Sequence, residues 1–243
     1  MSASESVDIV FGASSGIARA LLERWAAQSI RPVVAVSRGA PGWSSDSEAI
    51  EWLSCDYSGP GLSLVSAHLV ARRADVARLV ICNGVLQGTD YRPERALSQI
   101  NALALESLFE INTFLPIRIL AALAPLLKAS AKPKIVVLSA RVGSIGDNRL
   151  GGWYSYRGSK AALNMMLKCA ALELRRLNPQ AKLIAYHPGT VDTALSRPFQ
   201  NSVKPETLLA PERAAEALDG VIQQAKPDGE LAYLDWRGET IPW

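Results

Sequence analysis

Short apolar runs rich in valine and isoleucine alternate along the chain with longer segments whose apolar residues recur at helical spacing. The runs that predict strands are Val7–Phe11, Pro32–Ser37, Ile50–Ser54, Arg78–Cys82, Lys134–Ser139, Lys182–His187 and Glu230–Leu234. The segments that predict helices are Gly16–Gln28, Gly61–Arg73, Glu94–Ser130, Ser155–Leu177 and Pro211–Ala225. Apolar strands separated by helices are typical of a parallel sheet buried on both faces. The pattern predicts an α/β protein with a doubly wound, seven-stranded parallel sheet and helices on both faces.

The chain is predicted to form a single domain over residues 1–243, because no repeat, low-complexity tract or Pro/Ser-rich linker divides it. A polar, proline-containing stretch at about 190–211 has weak periodicity. We interpret this stretch as a lid over a substrate, with a plain surface loop as the alternative.

Composition and charge narrow the functional class. Hydrophobic residues make up 49% and charged residues 20% of the chain, which excludes a disordered protein. The net charge is +3 and the basic residues are scattered, so we expect no nucleic-acid partner. The N-terminus lacks an export signal, and charges and prolines interrupt the apolar stretch 101–127, so we expect no membrane partner. The cysteines Cys55, Cys82 and Cys169 are too scattered for a disulfide framework or zinc site, which favours a cytoplasmic protein without a metal.

Two glycines lie between the first predicted strand and the first predicted helix. Gly12 allows a sharp turn close to a ligand, and Gly16 opens the helix, whose free N–H groups and dipole favour a pyrophosphate. We predict a phosphate cradle here, with a purely structural turn as the alternative. Its residues are Gly12, Ser14, Ser15, Gly16 and Ile17.

Tyr156 and Lys160 lie four residues apart in a predicted helix and so share one of its faces. A nearby ammonium favours a phenolate, so Lys160 is expected to lower the pKa of Tyr156. The phenol can donate a proton to a carbonyl oxygen as hydride reaches the carbon, or take it back in oxidation. We predict a catalytic pair; a half-buried tyrosine beside a surface lysine is the alternative.

Asn112 precedes Pro116 by four residues in the longest predicted helix. Proline has no N–H, so the carbonyl of Asn112 loses its helical partner, and the helix should be irregular there. A free carbonyl at this position can hold an ordered water.

These motifs resemble the short-chain dehydrogenase/reductase family over about residues 7–243. The turn from Gly12 to Ala18 resembles the family's glycine motif, although Phe11 and Ala18 depart from it at its ends. The resemblance implies a Rossmann fold and hydride transfer between a nicotinamide and a carbonyl or alcohol substrate, with Tyr156 as the acid/base. It also implies that Asn112 holds a water that connects Lys160 to solvent, a purely structural kink being the alternative.

The second predicted strand ends at Ser37 and Arg38 with no carboxylate at its tip. Arg38 can meet a 2′-phosphate and Ser37 can add a hydrogen bond, which favours NADP(H) over NAD(H); a solvated arginine is the alternative. The further cofactor contacts that the resemblance implies are Asp56, Tyr57, Asn83, Gly84, Tyr156, Lys160, Pro188, Gly189, Val191 and Thr193.

Ala140 stands where the family has an active-site serine. An alanine cannot donate a hydrogen bond to a substrate oxygen, and losing one such donor lowers the rate by about 10²–10³. Ser139 is the candidate replacement, Ser144 also flanks the position, and otherwise Tyr156 works alone. The alternative function is a weakly active or inactive NADP(H)-binding protein with a sensing or signalling role.

Three segments resemble the branch of the family that contains C-signal factors and sniffer-type carbonyl reductases. They are 144–145, 151–156 and 241–243. The resemblance implies a small carbonyl or alcohol substrate, without identifying it, and a homodimer or homotetramer formed through the helices at 94–130 and 155–177.

Overall fold

A computed structural model describes residues 5–39 and 49–243. The strands are β1 (Glu5–Phe11), β2 (Val33–Ser37), β3 (Ile50–Ser54), β4 (Ala74–Ile81), β5 (Lys134–Leu138), β6 (Lys182–His187), β7 (Thr190–Val191), β8 (Leu208–Leu209) and β9 (Ala232–Asp235). The α-helices are α1 (Gly16–Gln28), α2 (Gly59–Ala71), α3 (Ala102–Phe109), α4 (Leu115–Ala129), α5 (Tyr154–Leu177) and α6 (Pro211–Gln224).

The main sheet has seven strands in the order β3-β2-β1-β4-β5-β6-β9. Every pairing in it is parallel. The predicted fold class is therefore confirmed. The strand order reverses between β1 and β4, and in doubly wound sheets ligands bind outside the carboxyl ends of the strands at such a point.

Helices cover both faces of the sheet. Side chains on a β-strand alternate between its two faces, so each strand packs against both layers of helices. On one face, Val10, Val80 and Val136 pack with apolar residues of α1 and α6. On the other face, Ile9 and Ile135 pack with apolar residues of α2, α4 and α5. Strands that are buried on both sides read as continuous apolar runs, which explains why the sequence predicts most of them within one or two residues.

The predicted helix Glu94–Ser130 is wrong at its start. The helix begins at Ala102, where the side chain of Asn101 accepts hydrogen bonds from the N–H groups of Leu103 and Ala104. Residues 94–101 contain only the 3₁₀ turn Leu97–Gln99.

A π-helical turn, Glu110–Phe114, connects α3 to α4 just before Pro116. In it the N–H of Leu115 donates to the carbonyl of Glu110, five residues earlier. Proline supplies no N–H to close a regular α-helical turn, so the irregularity that the sequence predicts is confirmed as a π turn.

The predicted lid segment contains short elements of regular secondary structure. It contains β7 and β8, which pair in parallel, and the 3₁₀ turns Arg197–Ser202 and Pro205–Thr207. The pairing of β7 with β8 brings both ends of the segment together, so it projects from the sheet as a closed loop.

Within the described part of the chain, the helical stretch Ala102–Ala129 is long and apolar enough, by length and composition, to cross a bilayer. Half of its most apolar window is buried inside the structure. The core helix of a globular protein has the same properties.

A buried ionic cluster joins the sheet to α1 and α6. The guanidinium of Arg78 donates to Asp8 at 2.8 Å and to Asp219 at 2.9 Å, and it lies 3.8 Å above the ring of Trp25. The indole N–H of Trp25 donates to Asp219 at 3.0 Å. Because both carboxylates are fully buried, each depends on these partners to offset the loss of water.

We expect Arg78→Met to lower the free energy of unfolding by about 3–5 kcal/mol, because it removes the buried cation between Asp8 and Asp219 and leaves them the more exposed Arg31 and Arg24. Denaturant unfolding of the purified protein measures this. The matched control is Arg213→Met, which removes one exposed ion pair on α6 and should change stability by less than about 1 kcal/mol. Equal effects of the two substitutions would contradict this account of the cluster.

Candidate active site

A cleft lies at the carboxyl ends of β1, β4, β5 and β6, at the point where the strand order reverses. Its volume is about 1340 Å³. The α1 end contributes Ser14 to Ile17, the β4 end contributes Cys82 to Gly84, and α5 contributes Tyr156 and Lys160. The structure thus brings the predicted phosphate cradle and the predicted catalytic pair into one cavity.

The cradle is a tight turn followed by the capped N-terminus of α1. Gly12 has φ +71°, and a Cβ there would lie 2.8 Å from the backbone nitrogen of Asn83, so only glycine fits. Ser15 caps α1 by accepting a hydrogen bond from Ala18. A Cβ on Gly16 would lie 3.0 Å from Cγ2 of Thr193, which shows how closely the segment after β6 approaches this turn.

Tyr156 and Lys160 are both buried in the first turns of α5. The ammonium of Lys160 donates to the carbonyl of Leu138 at 2.8 Å. Burial lowers the pKa of Lys160 to about 7. The expectation that Lys160 lowers the pKa of Tyr156 is wrong in this structure, because burial raises the pKa of the phenol above its ordinary value.

The Asn112 side chain connects the loop after β4 to α5. Its Oδ1 accepts from the N–H of Val85 at 2.8 Å, and its Nδ2 donates to the Val85 carbonyl at 2.9 Å and to Ser159 Oγ at 3.2 Å. The side chain therefore holds the β4 end of the cleft in place. The predicted water on its backbone carbonyl stays a prediction.

The three comparisons with known proteins agree with this geometry. A model of the short chain dehydrogenase family matches residues 6–204. The chain belongs to the short-chain dehydrogenase family.

Individual relatives support the same family. C-signal of Myxococcus xanthus is 32% identical over 149 residues, which are 61% of this chain and 84% of that protein. The 1-hydroxy-2-glutathionyl-2-methyl-3-butene dehydrogenase of Rhodococcus sp. (strain AD45) is 38% identical over 134 residues, 55% of this chain and 56% of that protein. The structure of NADPH-bound carbonyl reductase from chicken fatty liver has a TM-score of 0.84 at 23% identity, covering 99% of each chain. The predicted family is confirmed, and the similarity to C-signal agrees with the predicted branch.

The two serines proposed to replace the family's active-site serine differ in position. Ser139 lines the cleft, and its Oγ donates to Asn164 Oδ1 at 2.7 Å. Ser144 is not among the residues that line the cleft, and its hydroxyl accepts from the N–H of Asp147. Side chains alternate at the end of β5, so Ala140, and not Ser139, packs with Tyr156. The role of Ser139 as a replacement for the missing serine stays a prediction.

The residues predicted to contact the adenosine end do not line the cleft. Ser37 Oγ donates to the Gly39 carbonyl, and Arg38 is exposed at the end of β2. Asp56 is exposed and accepts two hydrogen bonds from Ser58, which lower its pKa.

The hydroxyl of Tyr57 contacts backbone groups of two neighbouring segments. Its hydroxyl accepts from the Gly12 N–H and donates to the Val36 carbonyl, both at 3.1 Å. It thereby ties the glycine turn to the end of β2, although the sequence gives no sign of this contact.

The segment after β6 also forms part of the wall of the cleft. Pro188, Gly189, Val191 and Thr193 all line it, and their contact with the nicotinamide end of a cofactor stays a prediction. His187 also lines it, and burial lowers the pKa of His187 to about 4, so its ring is neutral at physiological pH.

Sequence reasoning missed Glu94, which it placed inside a helix. The Glu94 carboxylate is 2% exposed and accepts hydrogen bonds from the N–H and the hydroxyl of Ser155, the residue before Tyr156. The Glu94 carbonyl also accepts from the Trp153 N–H. A carboxylate at a helix N-terminus is favourable, and here it anchors the loop before α3 to the start of α5. No local feature of the sequence indicates this burial, because the partner Ser155 is 61 residues away in the chain.

The buried ammonium of Lys160 predicts a pH-dependent stability. The pKa is near 10.4 in an unfolded chain and about 7 here, so the unfolded chain binds more protons between these values and stability rises with pH. Between pH 7 and pH 9, wild type should gain about 2 kcal/mol of unfolding free energy relative to Lys160→Met. Denaturant unfolding at both pH values measures this. Lys168→Met, at an exposed position of α5, should gain as much unfolding free energy between these pH values as wild type. An equal gain in Lys160→Met would contradict the lowered pKa of Lys160.

Proposed function

We propose that this protein is an NADPH-dependent oxidoreductase that reduces a ketone or aldehyde, with Tyr156 as the acid and Lys160 as its electrostatic partner. The observation that carries the proposal is that Tyr156, Lys160 and the N-terminus of α1 all line one cleft at the strand-order reversal. A dinucleotide that rests its phosphates on α1 would extend along the strand ends towards Tyr156.

The residues of the cleft fit a nicotinamide dinucleotide. The glycine turn leaves room for a close backbone approach, and buried His187 Nδ1 has no hydrogen-bond partner among the described residues. When bound, the nicotinamide supplies or accepts a hydride. The residues that we propose to hold the cofactor in the cleft are Ser14, Ser15, Gly16, Ile17, Asn83, Gly84, Tyr156, Lys160, Pro188, Gly189, Val191 and Thr193.

The raised pKa of Tyr156 suits a reductive direction. A phenol whose pKa lies above its ordinary value keeps its proton at neutral pH, and this is the form that donates to a carbonyl oxygen. Lys160, held on the Leu138 carbonyl, is close to its pKa at neutral pH, so its charge responds to an anionic ligand.

The preference for NADP(H) is also a proposal. Arg38 lies exposed at the end of β2, next to the glycine turn, and no carboxylate stands at that position. A guanidinium there can form charge-assisted hydrogen bonds with a 2′-phosphate, whereas a carboxylate would favour a ribose hydroxyl.

Ala140 favours a second candidate, a protein that binds NADP(H) for sensing or signalling with little turnover. Its methyl group packs with Tyr156 and donates no hydrogen bond to a substrate oxygen. Tight NADPH binding without reduction of any compound in a broad carbonyl panel would favour this second function.

We also propose a cytoplasmic location and a homo-oligomer. All three cysteines are free thiols, in keeping with a reducing compartment. The helices of the expected interface expose apolar side chains, Phe114 on the π turn and Met165 and Met166 on α5.

We expect Tyr156→Phe to lower NADPH-dependent carbonyl reduction by at least about 10²-fold, because it removes the proton donor and leaves the ring packing intact. Initial rates at 340 nm measure the reduction, and fluorescence titration should show NADPH binding retained. The matched control is Tyr154→Phe, two residues earlier and outside the cleft lining, which should keep full activity. Unchanged turnover in Tyr156→Phe overturns the assignment.

We expect Arg38→Gln to weaken NADPH binding by about 10-fold to 100-fold and to leave NADH binding unchanged, because it removes charge-assisted hydrogen bonds to the 2′-phosphate alone. Fluorescence titration with both cofactors measures the two affinities. Arg213→Gln, at an exposed position of α6 outside the cleft lining, is the control. If both affinities fall equally, Arg38 does not select the phosphate.

A further inference from the structure

One end of the cleft, here called the substrate end, has an apolar wall around Tyr156. Its lining consists of Leu86, Ala140, Val142, Trp153 and Phe199. The Trp153 ring stands edge-on to the rings of Tyr156 and Phe199, with centroid distances of 6.2 Å and 5.3 Å. Aromatic edges and faces arranged in this way favour a flat apolar group.

Two arginines line the cleft beside this wall. Arg92 and Arg95 flank Glu94, whose contacts with Ser155 and Trp153 place this loop next to the substrate end. Arg92 donates to the carbonyls of Gly88 and Tyr91 through one nitrogen, Nη1, only. The Arg95 guanidinium has no hydrogen bond or ion pair with any described residue, and its backbone N–H is held by Gln99 at 2.8 Å.

The described lining of the cleft carries more positive than negative charge at this end. Glu94 is the one carboxylate among those residues, and both of its oxygens accept from Ser155 at the start of α5. The buried carboxylate thus serves α5, while Arg92 and Arg95 keep donors available to a ligand. Anionic ligands approaching the substrate end therefore meet a net positive charge, since one carboxylate stands against two guanidinium groups.

We propose that the substrate is a carbonyl compound with a flat apolar body and a carboxylate, and that Arg92 and Arg95 bind the carboxylate. This inference rests on the proposed reductase function and names its substrate class. Arginine suits the role because its planar guanidinium donates two parallel hydrogen bonds to a carboxylate. The apolar wall then holds the body of the substrate against Tyr156.

The test compares 4-carboxybenzaldehyde with its neutral methyl ester, methyl 4-formylbenzoate, under saturating NADPH. We expect kcat/KM to be at least about 10-fold higher for the carboxylate, and this ratio to fall as salt is raised. In the double variant Arg92→Gln/Arg95→Gln, kcat/KM for the carboxylate should fall about 10-fold or more, mainly through KM, with the ester unaffected. The control is Arg149→Gln, at an exposed arginine outside the cleft lining, which should match wild type.

A second readout does not depend on turnover. Calorimetric titration of 4-carboxybenzaldehyde into Tyr156→Phe with bound NADPH should give a Kd that the double arginine substitution raises about 10-fold or more. An equal kcat/KM of wild type for both aldehydes, or an equal fall in kcat/KM for both in the double variant, overturns the inference. Either result leaves the proposed function standing. Arginine-dependent binding without reduction of either aldehyde by wild type contradicts the reductase function and retains the anion site.

Discussion

The arrangement of the cleft depends on the packing of the first turns of α5 against the end of β5. The Lys160 ammonium reaches the Leu138 carbonyl, and Gly143 lies so close to α5 that a Cβ there would be 2.8 Å from the Cβ of Lys160. The Ser159 carbonyl accepts from Thr113 on the π turn. These contacts fix the helix rotation, and the rotation decides that Tyr156 lines the cleft.

Three separate parts of the chain hold this short piece of helix. Glu94 binds Ser155, Asn112 binds Ser159, and the 3₁₀ turn after β5 packs against Lys160. The contacts of Glu94 and Asn112 use buried polar groups, and a buried polar group is costly unless it is paired. The result is a rigid support for the phenol, which proton transfer to a substrate requires.

The alanine beside Tyr156 makes the support more important. In the proposed reductase, a substrate oxygen would find no hydroxyl donor at position 140, and the orientation of the substrate would depend on the rest of the cleft. An anionic group held by Arg92 and Arg95 would supply such orientation from the far end of the substrate. The apolar wall at Trp153 and Phe199 would limit the remaining freedom of the substrate body.

The sequence by itself determined the sheet, the glycine turn and the pair Tyr156–Lys160, because each depends on residues close together in the chain. Apolar runs mark strands buried on both faces, and a four-residue spacing places two side chains on one helix face. Pro116 likewise marked the irregular turn, since a missing N–H is a local property.

Only the tertiary structure decided which side chains meet across the cleft. Glu94 and Ser155 are 61 residues apart, and no local pattern distinguishes a buried glutamate from one on a helix surface. Ser139 and Ala140 are neighbours in sequence, yet the alternation at the end of β5 turned the serine to Asn164 and the alanine to Tyr156. The pKa of Tyr156 also depended on burial, which the spacing of Lys160 could not reveal, because desolvation is a property of the packed structure.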